Sequence, residues 1–312
     1  MFNSTHTLTG LCLARAGLDR LAPHAVWTAV IAANLPDIDI LVDLRGAPDY
    51  IAYHRGITHS IVGIPALALL LAAVMHAIAK GFRGHFIVAL AVMFTHPALD
   101  YANTYGVRPL LPFDSRWIYG DALFVIDPFV DLVLAAGLAA GAYFRRRRLA
   151  AAISLAIMTG YVASRFELRN MARQRLESYA ANTPGYVKSG VSPRMAPSQW
   201  MGVVETRDAV FCVELNSFGG VGREILRMAK GPATPAVAAA RNTRTGAVFF
   251  DFSRFPVTRV HSIPDGYRVQ FLDLRFYRSG FAFGAVIDLD PSLRVLRETM
   301  GFGLRVQQDG DL

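Results

Sequence analysis

Residues 54–78 read HRGITHSIVGIPALALLLAAVMHAI. Seven residues dense in histidine, arginine and hydroxyl groups run directly into Ile61–Ile78, which contains no acid, lysine or arginine. A bilayer-spanning helix needs about 20 mostly apolar residues, with a range of about 17–25. The stretch therefore reads as a spanning helix with a chemically loaded end. Outward from it, Val125–Phe144 and Leu149–Ala163 are also apolar and are joined by Arg145-Arg146-Arg147-Arg148. Ala25–Val42 and His85–Leu99 are weaker segments broken by proline and acids, and Leu8–Leu18 is a short one, a thin span or an interfacial helix.

Charge sets the orientation. The 312 residues are 53% hydrophobic and 18% charged, against about 25% charged in ordinary soluble domains, so a purely soluble enzyme and a disordered chain are both excluded. The formal charge is +8, but between Arg145 and Arg175 eight arginines face one acid, Glu167. That excess follows an apolar run and reads as membrane topology, not as a nucleic-acid surface. Cytoplasmic loops are enriched in Lys and Arg, so the arginine hairpin is placed inside. Lys80, Arg83, Arg15 and Arg20 then also fall inside, and Arg45, Arg55, Arg108 and Arg116 outside. The N-terminal MFNSTHTLTGLCLARAGL lacks the basic start and small-residue cleavage site of a signal peptide and is expected to be retained. Cys12 and Cys212 are too few for a thiol metal cluster, and a disulfide framework is not expected.

The second half has a different composition. An arginine-rich amphipathic helix is expected over 164–180, then a Pro/Gly-rich loop, NTPGYVKSGVSPRMAP. The runs VFCVEL, AVFFDF, YRVQFLDLRF and FAFGAVIDL alternate with period two and read as antiparallel strands with one wet face. One helix fits near Pro235–Arg241, and no internal repeat is evident. The expected class is α+β: a polytopic α-helical membrane bundle of five or six segments followed by a small β-rich soluble domain. The boundaries are 1–163 for the helical domain, 164–197 for amphipathic helix and linker, and 198–312 for the β-rich domain, placed outside the cytoplasm.

Polar residues of the apolar half are clustered: His6; NLPDID with Asp37 and Asp39; HRGITHS with His54, Arg55 and His59; HPALD with His96 and Asp100; then Asp127 and Asp131. An Asp at a membrane-helix centre costs about 2.5–3.5 kcal/mol on insertion scales, so such groups persist when paired, solvated or metal-bound. The topology sends Asp37, Asp39, His54, His59, His96, Asp100 and Asp127 to the outer ends of their helices, with His6 beside them if the first segment spans. His96 and Asp100, four apart, share a helix face. Asp37 and Asp39, two apart in extended backbone, would also point one way. His54 and His59 would diverge on an unbroken helix, but Gly56 permits a turn, after which Thr58 is a candidate cap. Mixed imidazole and carboxylate donors suit Zn²⁺, with Mn²⁺ or Fe²⁺ as alternatives. Their number exceeds one zinc site, which leaves room for one to three ions.

The series LPDID, HRGITHS, HPALD followed by NTYG, then a DP before an apolar span, resembles the YdjM/YbcI-type family of bacterial inner-membrane, metal-dependent hydrolases, strongly over residues 5–131. The resemblance implies an integral membrane protein of the inner membrane and a metal-dependent hydrolase. It also implies distant kinship with the helical fold of zinc-dependent phospholipase C. Position by position it points to His6, Asp37, His54, His59, His96 and Asp100 as ligands, and less closely to Asp39 and Asp127.

Under that reading Asp39 orients or deprotonates a water, and Arg55 offers its fork of donors to a phosphate oxygen. Asn103, Thr104 and Tyr105 contact the substrate or support the ligands. A site at the bilayer surface favours a lipid-linked phosphoester as substrate. Blander readings stand beside these. Asp127 is equally a helix cap before Pro128, and Arg55 equally a salt-bridge partner of Asp37 or Asp39. Asp131 pairs with a neighbour, and His24, His76, His85 and His261 are structural. Trp117 and Tyr119 fit an interfacial aromatic belt. The competing functions are a metal-binding transporter or sensor without turnover, and a membrane anchor for the β-rich domain. An HExxH protease is excluded because the motif is absent.

Overall fold

The computed structural model describes residues 1–306; residues 307–312, the end of the expected β-rich domain, lie outside the described residues. The chain divides into two compact units: Met1–Leu41 with Tyr53–Glu167, and Val42–Ala52 with the chain from Leu168 onward.

Each expected apolar segment is helical. α1 spans Asn3–Ala16 and α2 Ala25–Asn34, which tightens into a 3-10 stretch over Leu35–Arg45; α3 is Ala47–Tyr53, α4 Gly63–Ala79, α5 Phe82–Tyr101, α6 Pro128–Tyr143 and α7 Arg147–Ala181. Among the described residues, Ala25–Arg45, Phe82–Tyr101 and Arg147–Ala181 are long and apolar enough to cross a membrane. A fourth span arises if Ala47–His59 and Gly63–Ala79, bent by 72°, count together. Length and composition thus identify three or four spans where the sequence suggested five or six. α6 has 16 residues and α1 has 14; at about 1.5 Å per residue α1 covers about 21 Å of a hydrocarbon core about 30 Å thick. α1 turns its hydroxyls to neighbouring helices instead: Ser4 and Thr5 donate to Asp131 at 2.9 and 2.5 Å, and the Asn34 side chain donates to Thr7 at 2.9 Å.

Small side chains let the helices approach closely, as membrane bundles require. Ala14, Ala25, Ala29, Ala32, Ala33, Ala68 and Ala89 are buried with Ile64, Val88, Val92 and Met93. A Cβ on Gly10 would stand 2.8 Å from the Ala33 Cβ and 2.9 Å from the Ala29 carbonyl oxygen, so glycine sets the closeness of the α1–α2 crossing. Ser60, not Thr58, caps α4, accepting from Gly63 N at 2.9 Å. The Thr58 hydroxyl is drawn away to Asp39 at 2.7 Å. Asp127 caps α6, accepting from Phe129 N at 3.1 Å, with Pro128 in the first turn.

In the second unit the C-terminal half of α7 buries Ala172, Leu176 and Ala180 on one face of a sheet. The sheet is an antiparallel meander of β1 (Tyr186–Pro193), β2 (Gln199–Thr206), β3 (Ala209–Asn216) and β4 (Gly220–Ala229). Strand alternation sends Trp200, Val204, Phe211 and Val213 to that helix. Met201, Val203, Val210 and Cys212 turn to the opposite face. There they meet Val257, Leu272, Leu274 and Ala282 of a second meander: β5 (Pro256–Ile263), β6 (Gly266–Arg278), β7 (Phe281–Leu289) and β8 (Val295–Arg305). α8 (Pro235–Arg241) and α9 (Arg244–Phe252) precede it, and the Phe249 ring of α9 stacks on Phe271 and Phe283.

Three expectations change. β1 occupies half of the Pro/Gly-rich stretch expected to be linker. AVFFDF is helical in α9, because Thr243 accepts from Gly246 N at 3.0 Å and Phe249 and Phe252, three apart, face the sheet together. A repeat undetected in the sequence is present in the architecture, where a helical segment followed by a four-stranded meander occurs twice. The segment 42–52 also groups with this unit, and Arg244 pairs with Asp49 there.

The start of α4 depends on a missing side chain: a Cβ on Gly63 would lie 1.8 Å from the Ile57 carbonyl oxygen. Gly63→Ala is expected to destabilise the protein by at least about 1–3 kcal/mol, read as a lower thermal midpoint in detergent. Gly160→Ala, on a helix position with nothing within 4 Å, is expected to leave the midpoint unchanged or raise it.

Candidate metal centre

Four segments deliver donors to one buried place in the first unit. The 3-10 stretch after α2 supplies Asp37 and Asp39. The extended backbone expected there is absent, and the difference matters. Successive residues of a 3-10 helix step about 120° around the axis, so the two carboxylates leave the helix in different directions and approach His59 from opposite ring nitrogens, Asp37 at 3.3 Å from Nε2 and Asp39 at 3.5 Å from Nδ1. The segment between α3 and α4 supplies His54, Arg55 and His59. Its left-handed residue is Arg55, at φ 57°, not Gly56. Gly56 is required for close approach, since a Cβ there would stand 2.7 Å from the Tyr53 carbonyl oxygen. The reversal brings the His54 and His59 rings to 5.9 Å although the residues are five apart. α5 supplies His96 and Asp100 from one face, and α1 supplies His6.

Asp37, His59, His96 and Asp100 form the first group that could hold an ion. His59 Nε2 and His96 Nε2 each lie 3.3 Å from Asp37 Oδ1, and they lie 3.5 and 3.3 Å from Asp100 Oδ2. Four donors at about 2.0–2.1 Å from a zinc ion on a tetrahedron would stand about 3.3–3.4 Å apart. His59 Nε2, His96 Nε2 and Asp100 Oδ2 are buried without a hydrogen-bond partner. Buried polar atoms are nearly always satisfied, and these orphans converge on one another. Their supports fit as well: His96 Nδ1 is 2.7 Å from the Ala33 carbonyl oxygen, which fixes the tautomer that leaves Nε2 as the donor atom. His59 Nδ1 lies 3.0 Å from the Thr58 hydroxyl. The residues present therefore fit a divalent cation.

Asp37, Asp39 and His54 form a second group that shares Asp37 with the first. Asp39 Oδ1 is 2.8 Å from His54 Nδ1, and its Oδ2 accepts from Arg55 N at 3.0 Å and from the Thr58 hydroxyl at 2.7 Å. Arg55 pairs with neither Asp37 nor Asp39 through its guanidinium. Nη2 lies 2.9 Å from Asp100 Oδ1, and Nη1 donates to Asn103 Oδ1 at 3.1 Å. The Met1 amino group meets the same Asp100 oxygen. Three carboxylates, Asp37, Asp39 and Asp100, thus converge with the imidazoles of His6, His54, His59 and His96, a donor set suited to a divalent cation.

The other expected residues fall around this core. His6 stacks on His96 with ring centroids 3.6 Å apart, and its Nε2 is 3.5 Å from Asp100 Oδ1. Tyr105 sits edge-on to His54 with the Arg55 guanidinium over its ring at 4.6 Å, and its backbone N donates to Asn103 Oδ1 at 2.8 Å. Thr104 is buried beside them. Asp127 stands apart from both groups. Its carboxylate caps α6 and accepts from the Tyr161 hydroxyl at 3.0 Å, so the cap reading describes its position and the ligand reading does not. His85 is partnered by Thr28 at 2.8 Å. Sequence alone assigns the Thr58 hydroxyl to a cap and misses its support of Asp39. In the second unit, burial pushes the Cys212 thiol up to about 12, which keeps it protonated.

The YdjM inner membrane protein family matches residues 1–172, more than half of the chain and all of the donors above. The YfhP C-terminal alpha/beta plait domain matches residues 235–308, which span α8 to β8. The chain is 25% identical over 313 residues to the uncharacterized protein YfhP of Bacillus subtilis (strain 168), covering 97% of this chain and 95% of that one. No solved structure matches the chain. With its apolar helices and a match that runs through its first half, the chain belongs to the YdjM inner membrane protein family.

Proposed function

We propose that this membrane protein is a metal-dependent hydrolase of a phosphoester, with a lipid-linked ester as substrate. The observation that carries the reading is the set of 3.3–3.5 Å separations among buried, otherwise unpartnered donors of Asp37, His59, His96 and Asp100. Four protein donors make that group closed, as in structural sites, whereas in the second group Asp37 and His54 leave positions open, as in catalytic ones, with Asp39 held beside them as a base. Bound divalent ions, most simply Zn²⁺, would acidify a water and stabilise charge on the phosphoryl oxygens.

The chain's own groups would then divide the work. Asp37 belongs to both groups and keeps them together. Asp39 Oδ1, beside His54 Nδ1, accepts the proton of the attacking water, while Arg55 N–H and Thr58 hold Oδ2 in place. The water oxygen joins phosphorus, the ester P–O bond breaks, and the proton passes to the departing alkoxide. Arg55 keeps Asp100 in position, and its Nε–H, which lacks a hydrogen-bond partner, donates to a phosphoryl oxygen. Asn103 holds the guanidinium in that attitude, and Thr104 and Tyr105 line the approach. The arginine turn at the start of α7 supports a cytoplasmic position for that end, which puts the β-rich domain outside. A second reading, a metal site without turnover, draws support from the depth of the cluster, since His59, His96 and Asp100 are 0–1% exposed.

Purified protein is expected to carry divalent metal in stoichiometric amount and His59→Ala to lose it, with circular dichroism unchanged. His261→Ala, on β5, keeps it. Unchanged metal in His59→Ala removes that residue from the site. Arg55→Lys is expected to retain metal but to lose about 10²-fold or more in turnover of a phosphoester, the usual cost of removing a donor aimed at transition-state charge. Metal-loaded protein that binds but never cleaves phosphoesters leaves the non-catalytic reading in its place.

A further inference from the structure

The loop that follows the site residues Asn103–Tyr105 carries a feature the chemistry does not use. Residues 107–118 read VRPLLPFDSRWI, and the apolar tip faces outward, with Phe113 79% and Leu110 43% exposed. The loop is stitched to the ligand-bearing segment. Arg108 N donates to the Arg55 carbonyl oxygen at 3.1 Å, and Ile61 N donates to the Pro109 carbonyl oxygen at 2.8 Å. Leu111 packs beside Gly56, so that a Cβ on that glycine would stand 3.5 Å from Leu111 Cδ1. The apolar tip is therefore fixed at the level where α4 begins, one residue from His54–Arg55 on one side and next to the span on the other.

Its surroundings resemble a membrane boundary. Ile57, Ile61 and Val62, on the segment to which the loop is bonded, are exposed, and the apolar surface continues along α4 through Leu69, Leu70 and Val74. Past the tip the character reverses. Asp114 and Arg116 form a water-facing pair at 2.6 Å, and the half-buried Trp117 ring covers the buried Arg108 guanidinium at 4.4 Å. Apolar tip, then aromatic and charged residues, is the order expected at the edge of a bilayer, where indole rings and cationic groups sit at headgroup level.

We propose that Leu110–Phe113 is inserted in the bilayer interface and forms a lip along which the apolar chain of a membrane-resident phosphoester reaches the site. The delivery role rests on the hydrolase reading; the insertion does not. Surface-exposed apolar side chains continuous with a lipid-facing helix have a ready occupant in lipid, and the hydrogen bonds from Arg108 and Ile61 tie that lip to the loop of His54, Arg55 and His59. A substrate whose phosphoester lies at headgroup depth would thus approach sideways, without leaving the membrane.

Insertion is tested with Phe113→Cys carrying a nitrobenzoxadiazole probe in phosphatidylcholine vesicles; Cys12 and Cys212 are buried. Quenching by nitroxide on the upper acyl chain, with protection from aqueous iodide, is expected. Quenching by iodide alone overturns the proposal, whatever the protein hydrolyses. Delivery is tested with Phe113→Asp. The ratio of turnover on phosphatidic acid in vesicles to turnover on its water-soluble dibutyryl analogue is expected to fall about tenfold, in keeping with the loss of one buried aromatic contact. An unchanged ratio overturns the lip's role in delivery. Inserted probe on a protein that cleaves neither ester would instead count against the hydrolase reading and leave the insertion standing.

Discussion

The structure of the first unit turns on one carboxylate. Asp100 is fully buried in an apolar helical bundle, where an unpaired charge would cost several kcal/mol. Its two oxygens face different neighbours, and Oδ2 has no hydrogen bond of its own. Oδ1 meets Arg55, the Met1 amine and His6, and Oδ2 meets His59 and His96. α1, the segment before α4, and α5 are thereby committed to a common point. Polar groups in such a place hold helices in one register, because any slip would leave a charge without a partner.

Around that point the bundle is built to come close. Alanines of α1 and α2 and the glycine at position 10 bring backbones together, so that the short side chains Asp37, Asp39 and Asp100 meet across elements. Long side chains at the same crossings would hold the donors apart. The hydroxyls of α1 act in a similar way, since they bind Asp131 and Asn34 and so fix the helix that presents His6.

Much of the site was legible because ionisable groups are rare inside apolar runs, and HRGITHS, LPDID and HPALD stand out against them. His96 and Asp100 needed only the helical period. Partnership was less legible. The sequence offers Arg55 equally as a partner of Asp37 or Asp39 and as a phosphate ligand, and the guanidinium lies on Asp100 of α5, a partner that neither reading names. Asp127 carries a residue type suited to a ligand, yet the first turn of α6 takes its Oδ1 and the Tyr161 hydroxyl its Oδ2. In the second unit, alternation identified β-structure but misread AVFFDF, where buried Phe249 and Phe252 fit either period and the Thr243 cap decides for helix. The strand over Tyr186–Pro193 was hidden by glycine and proline, which an edge strand tolerates.

Residues 42–52 lie between Asp39 and His54 in sequence, yet they group with the β-rich unit. The polypeptide therefore passes between the two units three times, after Leu41, after Ala52 and after Glu167. No single scission separates them. A shortened chain ending near Glu167 would retain every proposed donor and still lack the partner of the excursion that joins two of them. Autonomy of the helical portion is thus a matter of connectivity as much as of its own packing, and transplanting either half would require rebuilding that eleven-residue detour.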